Sequence, residues 1–340
     1  MAKYFVTGGS GFVGRHLCRR LAADGHSLRC AVRKTSDTDH LKDLDAELVE
    51  LDLAHSGDDL EQAIDGCDAV YHVAGLTRAT SPDQLYSVNR DGTQRLCEAA
   101  AAQADPPPIL YVSSLAAVGP ARQGNPKRTE DFPKPISNYG RSKRAGERQA
   151  ELVADRVPIT IVRPGIVFGE ENREMLPMFQ PIRHFAVHPM PGGDLRVSLI
   201  YISDLIDLLL KAMADGKRIS HREDPQSKFD GVGYYFAADQ HQPNYEELGE
   251  MLAEAVGVDN LHSLSLPKPI LWTSATLSEL TGRALGQAYV FNLDKIREAT
   301  AGSWICDVSH TREELGFEPS QSLESRLQQT ADWYRDAGWL

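Results

Sequence analysis

The stretch "SNYGRSKRAG", residues 137–146, sets Tyr139 and Lys143 four positions apart. On a helix that spacing puts both side chains on one face, so a phenol and an ammonium can enter the same cleft. A tyrosine of ordinary acidity, with a pKa of about 10, carries protons poorly at neutral pH. A nearby ammonium favours the phenolate and brings it towards the range of a general acid or base. Tyr-x-x-x-Lys also occurs on many plain helix surfaces, so the pair needs a partner before it implies chemistry. That partner is offered by "ILYVSSLAAVG", which reads as a strand with Ser113 and Ser114 at its carboxyl end, where open α/β sheets bind ligands.

The elements that must hold these residues follow from hydrophobic periodicity. Short apolar runs at Tyr4–Thr7, Leu28–Val32, Glu47–Leu51, Ala69–Val73, Ile109–Ser113 and Ile159–Arg163 read as strands, and periodic Ala- and Leu-rich segments between them read as helices. Repeated alternation of this kind predicts an α/β fold: a doubly wound parallel sheet of Rossmann type, covered by helices on both faces. "DPPP" before Ile109 ends a helix and launches a strand. From Gly169 to Arg196, four prolines and Gly192–Gly193 predict irregular chain leading into a smaller, mostly helical C-terminal substrate lobe. The expected division is a dinucleotide-binding domain over 1–168, joined again by 197–215 and 232–240, with 169–196 and 241–340 forming the lobe. The polar segment "DGKRISHREDPQSKFDG" reads as an exposed loop.

Directly after the first strand, "YFVTGGSGFVGRHL" spaces Gly8, Gly11 and Gly14 as G-x-x-G-x-x-G at the opening of a helix. Glycine permits the tight turn and lets backbone N–H groups approach a pyrophosphate, and the helix N-terminus favours its negative charge. An acid near the end of the second strand would take a ribose 2′-hydroxyl, whereas an arginine there accepts a 2′-phosphate. Here "SLRCAVRKTSD" ends in Arg33 and Lys34, so NADP(H) is expected over NAD(H).

Bulk composition narrows the remaining classes. The chain has 340 residues and is 41% hydrophobic, enough for a substantial core. With 36 Lys+Arg against 48 Asp+Glu, the formal charge is −12 and no basic run could track a nucleic acid backbone. Five scattered cysteines, at 18, 30, 67, 97 and 306, form no C-x-x-C pair, so neither a disulfide framework nor a zinc site is indicated. His184 and His188 share helical spacing but lack a third ligand nearby, and no metal is expected. No apolar stretch reaches bilayer length and no secretory leader precedes "KYFVTGGSG", so a soluble cytoplasmic protein acting on a small molecule is expected.

Taken in order, "TGGSGFVG", "LDL" at 51–53, "HVAG" at 72–75, "VNRDGT" at 88–93, "YVSSLAAVG", "YGRSK" at 139–143 and "RPGIVFG" at 163–169 resemble the extended short-chain dehydrogenase/reductase family along essentially the whole chain. The closest likeness is to its dihydroflavonol-reductase and 3β-hydroxysteroid dehydrogenase side. The resemblance implies that Ser114, which lies 25 residues before Tyr139, donates a hydrogen bond to a substrate carbonyl. It implies that Tyr139 exchanges the proton there, and that Lys143 holds the nicotinamide ribose and lowers the tyrosine's pKa. It places Phe12 and Val13 with the glycines in the cofactor loop, Asp52 and Leu53 at the adenine, Ala74 and Gly75 along the adenosine, and Pro164, Ile166 and Val167 beside the nicotinamide. It assigns Asn89 mainly a structural role and His72 and Val73 packing roles, and it implies a homodimer built on the Tyr139 helix and the "VNRDGT" helix.

Site residues must choose the reaction, because the fold hosts several. In this family nucleotide-sugar epimerases usually carry an acid after the second strand and an asparagine after the sixth-strand arginine. Here those places hold Arg33 and "RPGIV". Dehydratases need an added acid–base pair beside the serine, where this chain has Leu115 and Ala116. The expected activity is an NADP(H)-dependent interconversion of a secondary alcohol and a ketone. An NAD-dependent 4-epimerase and a catalytically silent NADP-sensing protein are the alternatives. Leu76, Val118, Met175, Met178, Phe179, Phe185, Met190 and Leu199 suggest an apolar pocket. Arg78, Arg173, Arg183 and Arg196 read as surface charges that could grip an acidic group.

Overall fold

Runs of Val, Ile, Leu and Tyr bounded by Gly, Pro and Asp build the sheet that carries the site. The computed structural model describes residues 1–55, 59–122, 124–191, 194–285 and 292–340. The first half runs β1 (Lys3–Thr7), α1 (Phe12–Ala23), β2 (Ser27–Val32), α2 (Asp39–Lys42), β3 (Glu47–Glu50), α3 (Asp59–Ile64) and β4 (Ala69–His72). There follow α4 (Pro82–Tyr86), a π-helical segment (Ser87–Gly92), α5 (Thr93–Ala101), β5 (Ile109–Val112), α6 (Asn138–Glu151) and β6 (Ile159–Pro164). The second half continues with β7 (Ile166–Phe168), α7 (Leu176–Phe185), β8 (Val187–Pro191), β9 (Leu199–Tyr201), α8 (Ile202–Asp215) and β10 (Tyr234–Ala237). It closes with α9 (Tyr245–Val256), β11 (His262–Leu266), α10 (Lys268–Ala284), α11 (Leu293–Ala301), α12 (Ser309–Leu315) and α13 (Leu323–Asp336).

Seven strands pair in parallel in the order β10-β6-β5-β4-β1-β2-β3. The order reverses between β1 and β4, where Thr7 faces His72, and a crevice opens there beyond the strands' carboxyl ends. β4, β5, β6 and β10 are buried at every residue, as strands covered on both faces must be. One core face joins Leu17 and Leu21 of α1 to Leu205 and Leu209 of α8, and the other packs Leu60, Leu96 and Ala100 against Phe5 and Ile159. The six expected strands all form, with ends shifted by about one residue.

β9 pairs with β7 outside the seven-stranded sheet, and at Gly165, between β6 and β7, a methyl group would meet the Ser198 carbonyl at 2.4 Å. Two expectations change. The 169–196 stretch is not wholly irregular: α7 forms with Pro177 in its first turn, where the missing N–H is harmless, and buried Phe179 and Ile182 hold it past Pro181. Gly192 and Gly193 lie outside the described residues. The polar 215–231 segment, expected to be an exposed loop, is exposed along most of its length but is anchored by buried Ile219, Arg222 and Phe229. Arg222 reaches the fully buried Glu151 at 3.1 Å, a partner 71 residues away that no local pattern could reveal.

The C-terminal helices close the molecule by specific contacts. Tyr334 of α13 meets Phe179 of α7 edge-on at 5.3 Å, and Arg326 grips Asp204 of α8 through two hydrogen bonds of 2.7 and 3.1 Å. α10 and α11 share a small core of Leu271, Ala275 and Ile296. Among the described residues no helix is long and apolar enough to cross a membrane.

Candidate active site

The crevice begins at the glycine turn after β1. Gly8 has φ +76°, and a methyl group there would lie 2.6 Å from the Ala74 nitrogen, so only glycine fits the meeting of the β1 and β4 loops. At Gly14 a methyl group would fall 2.0 Å from the Gly8 carbonyl, which fixes the close approach of α1 to the loop. Gly11 is the N-cap of α1; it makes no side-chain cap bond, and the first turn, which contains Phe12 and Val13, holds no acid. The leading N–H groups of α1 are thus left for an anion, and the arrangement fits a dinucleotide's pyrophosphate. Ala74 donates its N–H to Thr7 Oγ1 at 3.3 Å, which ties the two loops together.

The other expected cofactor residues lie along the same carboxyl edge. Arg33 and Lys34 are exposed just beyond β2, with Lys34 paired to Glu50 at 3.5 Å. The Asp52 carboxylate accepts from the Ala54 N–H at 3.0 Å, and Leu53 is buried against Gly92. Pro164 ends β6, while Ile166 and Val167 belong to β7, with Ile166 exposed. A residue that the sequence did not single out, His40 of α2, places Nε2 3.1 Å from the Gly9 carbonyl.

Ser114, Tyr139 and Lys143 come together beyond β5. Ser114 caps the short turn at Leu115–Ala117, its Oγ accepting from the Ala116 N–H at 3.1 Å, and its side chain lies close enough to that of Tyr139 to lower the phenol's pKa. Lys143 is buried; its Nζ donates to the Val112 carbonyl at 2.8 Å and stands 4.5 Å from the Tyr111 ring centre. A methyl group on Gly75 would lie 3.3 Å from that Nζ, so the ammonium faces the loop that packs on Gly8. Burial lowers the Lys143 pKa to about 7 against a smaller upward pull from Glu147. Burial raises the Tyr139 pKa, opposed by the neighbouring Ser114 and by Lys295, while Glu298 and Glu174 push it up further. The cation over the phenol ring is Lys295 of α11, 5.5 Å from its centre.

Two buried networks hold the trio. Beneath it, the Glu147 carboxylate accepts from Arg163 at 2.8 and 2.7 Å and from the Ser113 hydroxyl at 2.7 Å, with both charged side chains fully buried. Ser113 therefore spends its hydroxyl on anchoring the strand end to Glu147. Beside it, Asn89 in the π-helical segment clamps Leu76 through both its N–H and C=O and donates to Ser142 Oγ at 2.9 Å. His72 is buried, bonded to Thr7 and Thr93 and stacked on Tyr111, and burial then Lys143 pull its pKa down to about 3, so it stays neutral.

The expected apolar pocket is largely core. Met175, Phe179 and Leu199 belong to the main hydrophobic cluster and Val118 to a smaller one, whereas Phe185 is 76% exposed. Hydrophobicity alone could not tell a core wall from a pocket wall. Arg78 pairs with Glu174 at 3.2 Å, and the Arg173 guanidinium sits 4.6 Å over Trp339. His188 bonds to the Tyr245 carbonyl while His184 is exposed, and among the described residues no group of three His, Cys, Asp or Glu gathers as a metal site.

Residues 4–224 match the NAD dependent epimerase/dehydratase family. The chain is 31% identical to a ceramide reductase of Caulobacter vibrioides, covering 98% of this chain and 95% of that protein. It is 28% identical to a putative dihydroflavonol 4-reductase of Synechocystis (99% and 96% covered) and 26% identical to a UDP-glucose 4-epimerase of Vibrio cholerae (98% and 95%). Among solved structures, a UDP-glucose 4-epimerase of Thermotoga maritima superposes with a TM-score of 0.75 at 19% identity over 98% of this chain and 99% of that one, a likeness of fold.

Proposed function

The chain belongs to the NAD dependent epimerase/dehydratase family and is an NAD(P)-dependent oxidoreductase of the short-chain dehydrogenase/reductase type; from that premise we propose that it uses NADP(H) to interconvert a secondary alcohol and a ketone on a hydrophobic molecule. The observation that carries this reading is a buried Lys143 that faces the glycine-lined crevice one helical turn from Tyr139, with Ser114 beside the phenol. The dinucleotide supplies or accepts the hydride. Ser114 orients the substrate oxygen by donating a hydrogen bond, and Tyr139 gives that oxygen its proton in reduction and removes it in oxidation. Lys143 holds the ribose side of the cofactor, and Gly8, Gly11 and Gly14 with the start of α1 take the pyrophosphate.

Arg33, exposed beyond β2, supports NADP(H). The hydrophobic substrate rests on the relatives, since the residues around Tyr139 include Lys295, Glu298 and Glu174. A long-chain amide lipid of the ceramide class is therefore the first ketone to assay. In this reading 1–168, with 197–215 and 232–240, binds the dinucleotide, and 169–196 with 241–340 shapes the substrate side. A cytoplasmic homodimer through α6 and the Ser87–Ala101 helices completes the proposal, and sedimentation tests the dimer.

The test of function is NADPH and NADH oxidation across long-chain keto-amides, steroids, flavonoid-like ketones and sugar nucleotides. Turnover confined to sugar nucleotides with copurified NAD would replace the proposal with an epimerase. Tyr139→Phe should leave NADPH affinity nearly intact and lower kcat by roughly 10²–10⁴-fold.

A further inference from the structure

Tyr139 sits at the N-terminal end of α6, where the first N–H groups of a helix have no partner within it. Ser137 caps one of them, accepting from the Gly140 N–H at 3.0 Å. The other two are satisfied from 155 residues and more away: the Asp294 carboxylate accepts from the Asn138 and Tyr139 N–H groups, both at 2.9 Å. One turn further along α11, Glu298 accepts from the Ser137 hydroxyl at 2.6 Å and from Lys295 Nζ at 2.9 Å. Asp294, Lys295 and Glu298 thus form one face of α11 seated on the end of α6. The same face sets the Lys295 ammonium 5.5 Å from the centre of the Tyr139 ring.

We propose that Lys295 is a positioning residue for proton transfer through Tyr139, held over the phenol by a helix that also caps the helix bearing that phenol. The inference rests on the reading of Tyr139 as the proton carrier. A cation here favours the phenolate, which oxidation of an alcohol requires as base, and opposes the burial that holds the proton on. The other groups facing the ring are accounted for. Ser114 lowers the Tyr139 pKa as the cation does, and Glu174 from the loop before α7 and Glu298 of α11 oppose the cation. Lys143, one turn on in α6, spends its ammonium on the Val112 carbonyl and the Tyr111 ring. The Lys295 side chain is 42% exposed, so replacing it leaves the core untouched.

The experiment uses the full chain. The tyrosinate absorbance of wild type minus that of Tyr139→Phe reports ionisation of Tyr139 without any turnover. In Lys295→Met the midpoint should move to higher pH, and in Lys295→Arg it should return towards wild type. The rising limb of kcat against pH for alcohol oxidation should move with it, lowering kcat at neutral pH by about tenfold with the KM for cofactor unchanged. A midpoint and a pH profile that stay at their wild-type positions in Lys295→Met would overturn the proposal. A midpoint that moves as expected while Tyr139→Phe still turns over normally would uphold the Lys295–Tyr139 coupling and sink the catalytic reading of Tyr139 instead.

Discussion

Lys143 shows how burial sets a side chain's charge. Its pKa falls from 10.5 to about 7 because its environment disfavours the ammonium more than Glu147 supports it. Between those two values the unfolded chain binds a proton that the folded chain does not, so this group makes stability rise with pH across that window. Below it both states are protonated and the burial penalty is at its largest. Lys143→Met should therefore raise the thermal midpoint of the cofactor-free protein at neutral and lower pH, flatten the rise above it, and abolish turnover; thermal unfolding measured on both sides of the window checks this. Arg33→Ala belongs to the same class of single-group effects. Loss of its guanidinium should weaken NADPH binding by roughly tenfold or more and leave NADH nearly unaffected, and equilibrium titration with both cofactors measures the difference.

The elements hold this chemistry through charges that are buried and paired. Glu147 of α6 joins Arg163 of β6 to Ser113 at the end of β5, so the helix carrying Lys143, the β6 strand and the strand leading to Ser114 meet at one carboxylate. Arg222, Arg163 and Arg144 also lie over the Phe229 ring at 5.1, 5.5 and 5.6 Å. Removing one member of such a cluster strands the others without solvent. Glu147→Gln is expected to cost about 3–5 kcal/mol of stability and to lower kcat more than cofactor affinity, as read by urea unfolding and steady-state kinetics. The residues of this cluster look polar and exposed in sequence, which is why the anchoring of the 215–231 loop by Arg222 did not show there. Burial of an arginine depends on a carboxylate that only folding brings to it.

Across the whole molecule, the last helix is fastened to the sheet's helical cover. Arg326 of α13 meets Asp204 of α8 in a buried, two-pronged pair and lies 4.2 Å over the Tyr201 ring. Arg326→Met leaves Asp204 without its cation, and the expected result is a loss of about 3–5 kcal/mol in global unfolding with NADPH affinity unchanged. Unfolding that lost only a local transition, seen by hydrogen exchange confined to α13, would show that this contact does not couple to the core.

The parallel sheet, the glycine turn and the shared helical face of Tyr139 and Lys143 were legible from residue order, because each rests on spacing within a strand or helix and on turns marked by Gly and Pro, whereas Ser114 entered through the family resemblance. Gly8 needs a positive φ and Tyr139 and Lys143 need a helical turn, and both are local requirements. Which cation stands over Tyr139, which arginines are buried, and whether Met175, Phe179 and Leu199 line a pocket or fill a core were settled by folding. Those outcomes depend on groups 70 to more than 150 residues apart arriving at one place, as Arg222 does at Glu151 and Asp294 at Tyr139. Side-chain type limits what a residue can do there, while burial and the identity of its neighbours decide what it does.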